Sequence, residues 1–412
     1  MKKNITAVCL FLFASLSATA QTVHTENPLA AKYSTFSVIG DSYSTFLGKN
    51  EPVDNAQYYP REGLDVYEAS QTWWMLFQRE TGIRLEQNNS YSGGTICNTW
   101  WNGGDASGVS FVKRAQNLRG ADLIIVEGGT NDSNAGSPIG NYKYENWTTT
   151  DLKSFRPATA KTIDYLKNKF PEAQILFMLN NGLKADINNS VYEICQHYNV
   201  PVMTLSGVSK ALEHPTYSGM QTISRQLVST LLDGEGYTMV QDNQNQTFST
   251  AVENAKVYFQ MPFRAGEWMG VCLPFDLDSS QLSVLFGEGF ELLAFTGETE
   301  ASTETGGTNL VFQAVTSVER GVPYLVCPAI TRNEGVIIDG FTLQPSTAQT
   351  IGDGAAQLVG VYRTTSIRPG AKSNYLIAPN FTVGNAEETT PVRPMHAYIT
   401  TKATAPISIV VR

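Results

Sequence analysis

The chain has 412 residues, of which 42% are hydrophobic and 16% are charged, and its formal net charge is −9. This length allows two or more domains, and the composition is that of an ordinary globular protein with few charges. An acidic chain without a basic cluster is a poor candidate for binding nucleic acid or an anionic membrane surface.

Residues 1–20 have the pattern of a secretory signal peptide. Lys2-Lys3 precede an apolar stretch over residues 5–16, and Ala18-Thr19-Ala20 follows as a small-residue cleavage site. The apolar stretch is too short to span a bilayer, and no later stretch is long enough. We therefore predict an exported protein without membrane insertion, located in the periplasm, at the cell surface or outside the cell.

From Tyr33 to about Leu232, short apolar runs alternate with amphipathic segments. Strands separated by helices are typical of a parallel sheet with helices on both faces, so we predict an α/β domain here. The predicted strands are Phe36–Ile39, Arg84–Gln87, Leu123–Glu127, Gln174–Met178 and Val202–Leu205. The predicted helices are Gln71–Thr81, Val109–Leu118, Ala158–Lys169, Asn189–Tyr198 and Thr216–Leu232.

Polar motifs follow three of the predicted strands. Gly40-Asp41-Ser42 comes after the first strand, Ser92-Gly93-Gly94 after the second, and Gly129-Thr130-Asn131-Asp132 after the third. Ligands in parallel α/β sheets bind beyond the carboxyl ends of the strands, so we expect these motifs to share one site. His214-Pro215-Thr216, just before the last predicted helix, offers a histidine for the same edge.

Together these motifs supply the groups of a serine hydrolase. We predict that Ser42 is the nucleophile and His214 its base, because a neutral imidazole with a pKa near ~6.5 can take the hydroxyl proton at neutral pH. For the oxyanion, Gly93 offers an unobstructed backbone amide, Asn131 a side-chain amide, and Ser42 its own amide. Each motif alone is also compatible with an ordinary turn, and location alone favours His214 only slightly.

In their order and rough spacing, these motifs resemble the SGNH (GDSL) hydrolase superfamily over the range from Tyr33 to about Leu232. Asn88–Gly93 is similar to the second block of the family, and His214–Met220 is similar to the last. The resemblance implies a flavodoxin-like three-layer domain that hydrolyses esters without a metal or another cofactor. The four named positions of the family, serine, glycine, asparagine and histidine, fall on Ser42, Gly93, Asn131 and His214.

One position departs from the pattern of the family. The family usually has an aspartate three residues before the histidine, where it orients the imidazole, and this chain has Ala211 there. We therefore predict a Ser–His dyad in which a backbone carbonyl or Glu213 holds the imidazole of His214. The same departure leaves open a catalytically weakened protein that binds glycan. We expect Asp132 to brace its own loop rather than to serve the histidine.

Aromatic residues near the predicted site favour a carbohydrate ester as the substrate. Trp100-Trp101 follow the Gly93 loop and Tyr91 precedes it, so these rings are candidates to line the site and stack on a sugar. Trp73-Trp74 lie in a predicted helix and are expected in the core. We predict hydrolysis of short acyl esters, with acetyl favoured, on a glycan; a lipid or thioester acyl substrate is the alternative.

After about residue 235, short β-rich runs replace the helical pattern. Turn motifs such as Gly306-Gly307 and Asp339-Gly340 separate several of them, and this spacing is typical of a β-sandwich. Gly266–Asp276 resembles the start of β-sandwich domains in secreted Bacteroidetes proteins, a resemblance that assigns no activity. The predicted division is a signal peptide (1–20), an SGNH hydrolase domain (21–235) and an all-β sandwich accessory domain (236–412).

Four cysteines lie outside the predicted leader: Cys97, Cys195, Cys272 and Cys327. In an oxidising compartment they can form two disulfides, with three possible connectivities. The domain division would favour pairing within each domain, Cys97 with Cys195 and Cys272 with Cys327, and four free thiols are the alternative. No C-x-x-C pair is present, so the sequence gives no support for a metal site.

Overall fold

The computed structural model describes residues 21–304, 306–352, 355–368, 374–385, 388–402 and 406–412. The described residues divide into two compact units, one of residues 26–236 and one that combines residues 21–25 with the chain from 237 onwards. The predicted signal peptide lies outside the described residues.

The unit of residues 26–236 contains a parallel sheet of five strands. In chain order the strands are Thr35–Ile39, Arg84–Asn88, Leu123–Gly128, Gln174–Leu179 and Val202–Thr204. Their spatial order is second, first, third, fourth and fifth, and every neighbouring pair is parallel. This is the strand order of flavodoxin-like, doubly wound sheets, whose binding site lies where the order reverses, beside the first strand.

Helices cover both faces of this sheet because successive side chains of a strand point to opposite faces. On one face the ring of Phe36 packs edge-on against Phe77, with centroids 5.1 Å apart. On the other face Val126 and Phe177 join a buried cluster with Ile163. The helices are Leu29–Lys32, Trp73–Thr81, Phe111–Arg114, Thr130–Ala135, Phe155–Lys169, Ala185–His197 and Tyr217–Gly234. The predicted three-layer α/β fold is therefore confirmed.

The other unit is rich in antiparallel strands. Its elements are the strands Thr22–His24, Thr238–Gln241, Val252–Gln260, Met269–Cys272, Glu291–Ala301, Thr308–Ala314, Pro323–Cys327, Val336–Leu343, Thr350–Gly352, Ala356–Gly360, Thr365–Ile367, Asn374–Ile377, Val383–Gly384, Thr390–Val392, Ala397–Thr401 and Ile407–Val411, and the helix Ser279–Phe286. Two of its sheets have five strands each. Leu293 and Phe312 from one sheet share a buried cluster with Leu358 and Ile399 from the other. The predicted β-sandwich is confirmed, with one short helix that the sequence did not indicate.

Several short strands lie where the sequence indicated no strand, and two of them lie near the predicted domain boundaries. Thr22–His24 pairs antiparallel with Val336–Leu343, so residues 21–25 belong to the β-rich unit, whereas the sequence predicts them in the hydrolase domain. Thr238–Gln241 lies inside the predicted linker and pairs parallel with Val252–Gln260. Strands of three or four residues are too short to show a hydrophobic period of their own, which is why the sequence does not reveal them.

The four cysteines of the described chain are free thiols, so the predicted disulfide pairs are absent there and the alternative of free thiols is found. Burial raises the pKa of the Cys97 and Cys195 thiols to about 12, and such thiols are inert. Across the described ranges, no helix is both long enough and apolar enough to cross a membrane.

Candidate active site

Ser42 lies directly beyond the carboxyl end of the strand Thr35–Ile39 and begins a short 3-10 turn, Ser42–Ser44. Asp41 caps this turn, because its Oδ1 accepts a hydrogen bond from the backbone N–H of Tyr43 at 3.1 Å. The hydroxyl of Ser42 is thereby held at the point where the strand order reverses, which is the binding edge of such sheets.

Packing behind the turn explains its sequence. A Cβ atom on Gly40 would lie 2.6 Å from Ser44 Oγ, so only glycine fits at this position. The indole N–H groups of Trp73 and Trp74 donate to Ser44, at 3.2 Å to Oγ and 3.0 Å to the carbonyl oxygen. Both tryptophans are fully buried, as expected for core residues, and they also brace the turn that carries Ser42.

His214 reaches Ser42 from a tight hairpin formed by the strands Lys210–Ala211 and His214–Pro215. Its Nε2 lies 2.8 Å from Ser42 Oγ, and its Nδ1 lies 2.8 Å from the carbonyl oxygen of Leu212. A carbonyl only accepts hydrogen bonds, so Nδ1 carries the proton and Nε2 is the acceptor for the serine hydroxyl. This neutral tautomer is the one that can remove a proton from Ser42.

The Leu212 carbonyl orients the imidazole of His214, the role that an aspartate usually has in the family. Ala211 has no polar side chain, and Glu213 is exposed to solvent. Of the two orienting groups that the sequence left open, the structure therefore has the backbone carbonyl at the imidazole. A neutral carbonyl stabilises an imidazolium less than a carboxylate does, because it lacks the negative charge that would attract the cation.

The surroundings keep His214 neutral. Burial lowers the pKa of the imidazole, the hydrogen bond to Leu212 opposes this, and the positive charges of Arg61 and Lys210 lower it further, against the negative charge of Glu213. The pKa of His214 therefore lies below its usual value, so the imidazole is unprotonated at neutral pH and is free to accept the proton of Ser42.

The backbone amides of Ser42 and Gly93 are the candidate oxyanion donors. Within the described part of the chain, neither the N–H of Ser42 nor that of Gly93 donates to a protein oxygen. Gly93 has φ +79°, a left-handed conformation that turns the loop and favours glycine. The side chain of Asn131 donates one hydrogen bond to the carbonyl of Gly94 at 3.1 Å, which leaves its second N–H available.

Hydrogen bonds join the three predicted donor motifs. The N–H of Tyr91 donates to the carbonyl of Gly40 at 3.1 Å, which ties the Gly93 loop to the nucleophile turn. Asp132 is buried and accepts from the amides of Ile96 and Cys97 at 2.7 and 3.2 Å, so it braces the same loop, as expected. Burial raises the pKa of the Asp132 carboxyl to about 6.

The structure separates the two candidate sugar-stacking tryptophans. Trp100 is half-buried beside the donor loop, where a Cβ atom placed on Gly93 would lie 3.6 Å from its ring. Trp101 lies on the following turn with 46% of its surface exposed. Of the pair, Trp100 is the one in contact range of a predicted oxyanion donor.

Three tyrosines that the sequence analysis did not single out surround the imidazole of His214. The ring of Tyr58 stacks on it with centroids 3.4 Å apart and an angle of 10° between the planes. Tyr43 and Tyr59 meet it edge-on, at 5.4 and 6.3 Å. The available signals were the position of Tyr43 directly after the Gly-Asp-Ser motif and the adjacent pair Tyr58-Tyr59.

The carboxyl groups of Asp41 and Glu127 form a buried pair behind the turn Ser42–Ser44. Glu127 Oε2 accepts from the N–H of Asp41 at 3.1 Å and from Ser44 Oγ at 3.0 Å. Burial raises the pKa of Asp41 to about 6, and burial followed by the charge of Asp41 raises the pKa of Glu127 well above its usual range. The positive charge of Arg114 favours the ionised form of Asp41, and among the described residues Asp41 Oδ2 and Glu127 Oε1 have no hydrogen-bond partner, so we infer that Glu127 holds one proton between them.

No set of three or more His, Cys, Asp or Glu side chains in the described ranges is arranged to hold a metal ion. The candidate site contains a hydroxyl, a neutral imidazole and several amide donors. A flavodoxin-like sheet with these groups at its reversal point defines the class of α/β hydrolases of the GDSL type.

Comparison with known proteins agrees with this class. The model of the GDSL-like lipase/acylhydrolase family matches residues 34–231. A crystal structure assigned as a GDSL-like lipase from Bacteroides ovatus is 45% identical, covers 48% of this chain and 98% of its own, and has a TM-score of 0.48. A second from Bacteroides uniformis is 42% identical, covers 50% of this chain and 100% of its own, and has a TM-score of 0.49.

No curated protein matches the chain. The chain belongs to the GDSL-like lipase/acylhydrolase family, a family of ester hydrolases, so the predicted membership is confirmed.

Proposed function

We propose that the protein is an exported serine esterase in which Ser42 and His214 act as a catalytic dyad. The observation that carries this proposal is the 2.8 Å contact between Ser42 Oγ and His214 Nε2, in an imidazole whose Nδ1–H is bound to Leu212. A nucleophile, a base and a group that orients the base are the elements that activate a serine. The same intact contact argues against a protein that only binds glycan.

In the first half of the reaction, Ser42 Oγ attacks the carbonyl carbon of the ester while its proton passes to His214 Nε2. The carbonyl oxygen becomes an oxyanion, which the N–H groups of Ser42 and Gly93 and the side chain of Asn131 stabilise. Each such donor contributes about 2.7–4 kcal/mol to the transition state. The Leu212 carbonyl, bound to Nδ1–H, stabilises the imidazolium that forms.

In the second half, His214 returns its proton to the oxygen of the leaving alcohol, and the acyl group remains on Ser42. A water molecule then attacks the acyl carbon and gives a proton to the same nitrogen. The carboxylic acid leaves as Ser42 recovers its hydrogen. No step in this sequence needs a metal or an organic cofactor.

We propose short acyl esters of a carbohydrate, with acetyl as the acyl group, as the substrate. The half-buried ring of Trp100 beside Gly93 supports a sugar partner, with Trp101 and Tyr91 as further stacking candidates. A lipid or thioester acyl group is the second candidate. It is favoured by the side chain of Leu212, which is 56% exposed next to His214.

Hydrolysis of p-nitrophenyl acetate, butyrate and octanoate and of acetylated xylan tests the proposal. Wild-type protein should prefer acetyl, and Ser42→Ala and His214→Ala should abolish turnover because each removes one member of the dyad. His197→Ala, an exposed histidine of the same unit, is the matched control and should keep full activity. Unchanged turnover in Ser42→Ala would refute the dyad, and a preference for octanoate would favour the lipid substrate.

Export is tested separately by the mature N-terminus. Cell fractionation with mass spectrometry should find the protein outside the cytoplasm, beginning at Gln21. A cytoplasmic protein that retains Met1 would contradict export and leave the dyad unaffected.

A further inference from the structure

The hairpin that carries His214 has an unfavourable turn. Its two central residues, Leu212 and Glu213, have φ values of 49° and 62°, both in the left-handed region. A two-residue hairpin loop with positive φ at both positions has the geometry of a type I′ turn, which strongly prefers Asn-Gly. Two residues with bulky side chains resist this conformation, so the turn must be held by contacts from outside the hairpin.

Phenol hydroxyls provide those contacts. Each of the three tyrosines around the imidazole donates a hydrogen bond to a different carbonyl of the hairpin. The pairs are Tyr58 with Leu212 at 3.3 Å, Tyr43 with Glu213 at 2.9 Å, and Tyr59 with Pro215 at 2.8 Å. The tyrosines and the hairpin are far apart in the sequence, so these bonds fasten the turn to the body of the domain.

Tyr58 differs from the other two because it contacts the histidine in two ways. Its ring lies flat on the imidazole, at 3.4 Å between centroids. Its hydroxyl donates to the Leu212 oxygen that also accepts the imidazole Nδ1–H. A carbonyl oxygen has two lone pairs, so it can accept both hydrogen bonds at once. One side chain thus fixes the plane of the imidazole and the acceptor that orients it.

The stacked ring also has an electrostatic consequence. The face of an aromatic ring carries negative charge density and attracts a cation placed over it. When His214 takes the proton of Ser42, the imidazolium forms against this face. Tyr58 therefore stabilises the imidazolium of the transition state more than the neutral imidazole of the ground state. An interaction that is stronger in the transition state than in the ground state raises kcat.

We propose that Tyr58 is a positioning residue of the esterase site: it holds the plane of the imidazole and the Leu212 carbonyl, which takes the place of the aspartate that the family usually has three residues before the histidine. The inference rests on the proposed roles of Ser42 and His214. Arg61, one of the charged groups that act on the imidazole, lies over the ring of Tyr58 at 4.7 Å, so Tyr58→Leu also removes this contact whereas Tyr58→Phe keeps it.

Kinetics of two variants of the full chain test the inference, with p-nitrophenyl acetate as the substrate. Tyr58→Phe keeps the stacked ring and loses the hydrogen bond to Leu212, so kcat should fall about fivefold. Tyr58→Leu loses both interactions, so kcat should fall about 50-fold, with KM changed by less than about twofold. Tyr67→Leu, an exposed tyrosine of the same unit, is the matched control and should behave as wild type.

A second readout separates positioning from general stability. The Nδ1 proton of His214 should give a downfield NMR resonance in wild type and Tyr58→Phe, and it should broaden or vanish in Tyr58→Leu, where water reaches the nitrogen. If Tyr58→Leu does not fold, Tyr58→Phe decides: a fivefold loss of kcat at an unchanged Tm supports the inference, and wild-type kcat overturns it.

Failure of this inference can be told apart from failure of the proposed function. If Ser42→Ala and His214→Ala are inactive while folded Tyr58→Leu keeps wild-type kcat, the dyad stands and the role of Tyr58 is refuted. If Ser42→Ala or His214→Ala keeps wild-type activity, the proposed function fails and the role of Tyr58 fails with it.

Discussion

Replacing Glu127 with glutamine tests whether Glu127 and Asp41 share one proton beneath the turn that carries Ser42. Glutamine has the shape of a protonated glutamate: its Oε1 can accept from the Asp41 N–H and from Ser44, and its Nε2 can donate to Asp41 Oδ2. The variant therefore keeps the hydrogen bonds of the pair and removes the titration of Glu127, while the Asp41 carboxyl remains titratable.

The sign of the effect follows from the raised pKa of Glu127. Above about pH 4.5 the unfolded chain loses this proton, while the native protein keeps it until the higher native pKa is reached. The free energy of unfolding of the wild type therefore falls as pH rises through this window, by up to about 1.4 kcal/mol per pH unit for one proton. Glu127→Gln has no such proton, so its stability should exceed that of the wild type increasingly from pH 5 to pH 8.

Urea unfolding followed by tryptophan fluorescence from pH 4.5 to 8 measures this difference. Five of the six tryptophans lie in the unit of residues 26–236, so the signal reports mainly on the unit that contains the pair. Glu172→Gln, at an exposed glutamate of the same unit, is the control and should follow the wild type at every pH. A Glu127→Gln variant that is equally destabilised at all pH values would refute the shared proton and indicate an ionised Glu127.

Three further predictions concern the candidate site. Asn131→Ala should lower kcat about 10²–10³-fold with little change in KM, as measured with p-nitrophenyl acetate, because it removes an oxyanion donor; unchanged kcat would exclude that role. Arg61→Gln removes a positive charge that lowers the pKa of His214, so the acid limb of the kcat/KM profile should move to higher pH, and a shift to lower pH would contradict it. Gly40→Ala should lower Tm and activity together, because its Cβ would overlap Ser44; a variant with wild-type Tm would refute the tight packing.

Much of the α/β unit could be predicted because its signals are local in the sequence. The central strand Leu123–Gly128 is a continuous apolar run apart from one glutamate, as expected for a strand buried on both faces. Parallel strands present their carboxyl ends at one edge of the sheet, so the sequence alone predicts that the motifs with Ser42 and Asn131 lie close together. The order of the motifs then identified the family.

The sequence could not decide whether a backbone carbonyl or Glu213 orients His214, because a backbone carbonyl carries no sequence signal. Every residue has one, and the Leu212 carbonyl reaches Nδ1 through a left-handed turn that nothing in Leu212-Glu213 indicates. The contact of Tyr58 with the same turn joins residues 154 positions apart. For Glu127 a signal was present: a single acid within a buried strand implies a partner.

Labelling with a fluorophosphonate probe, followed by peptide mapping, tests the central claim most directly. The account predicts one phosphonyl adduct on Ser42 in the wild type, because only a serine activated by a base reacts at a useful rate. The adduct should be absent in Ser42→Ala and at least strongly reduced in His214→Ala. A folded wild-type protein that remains unlabelled, or an adduct on another serine, would contradict the proposed nucleophile.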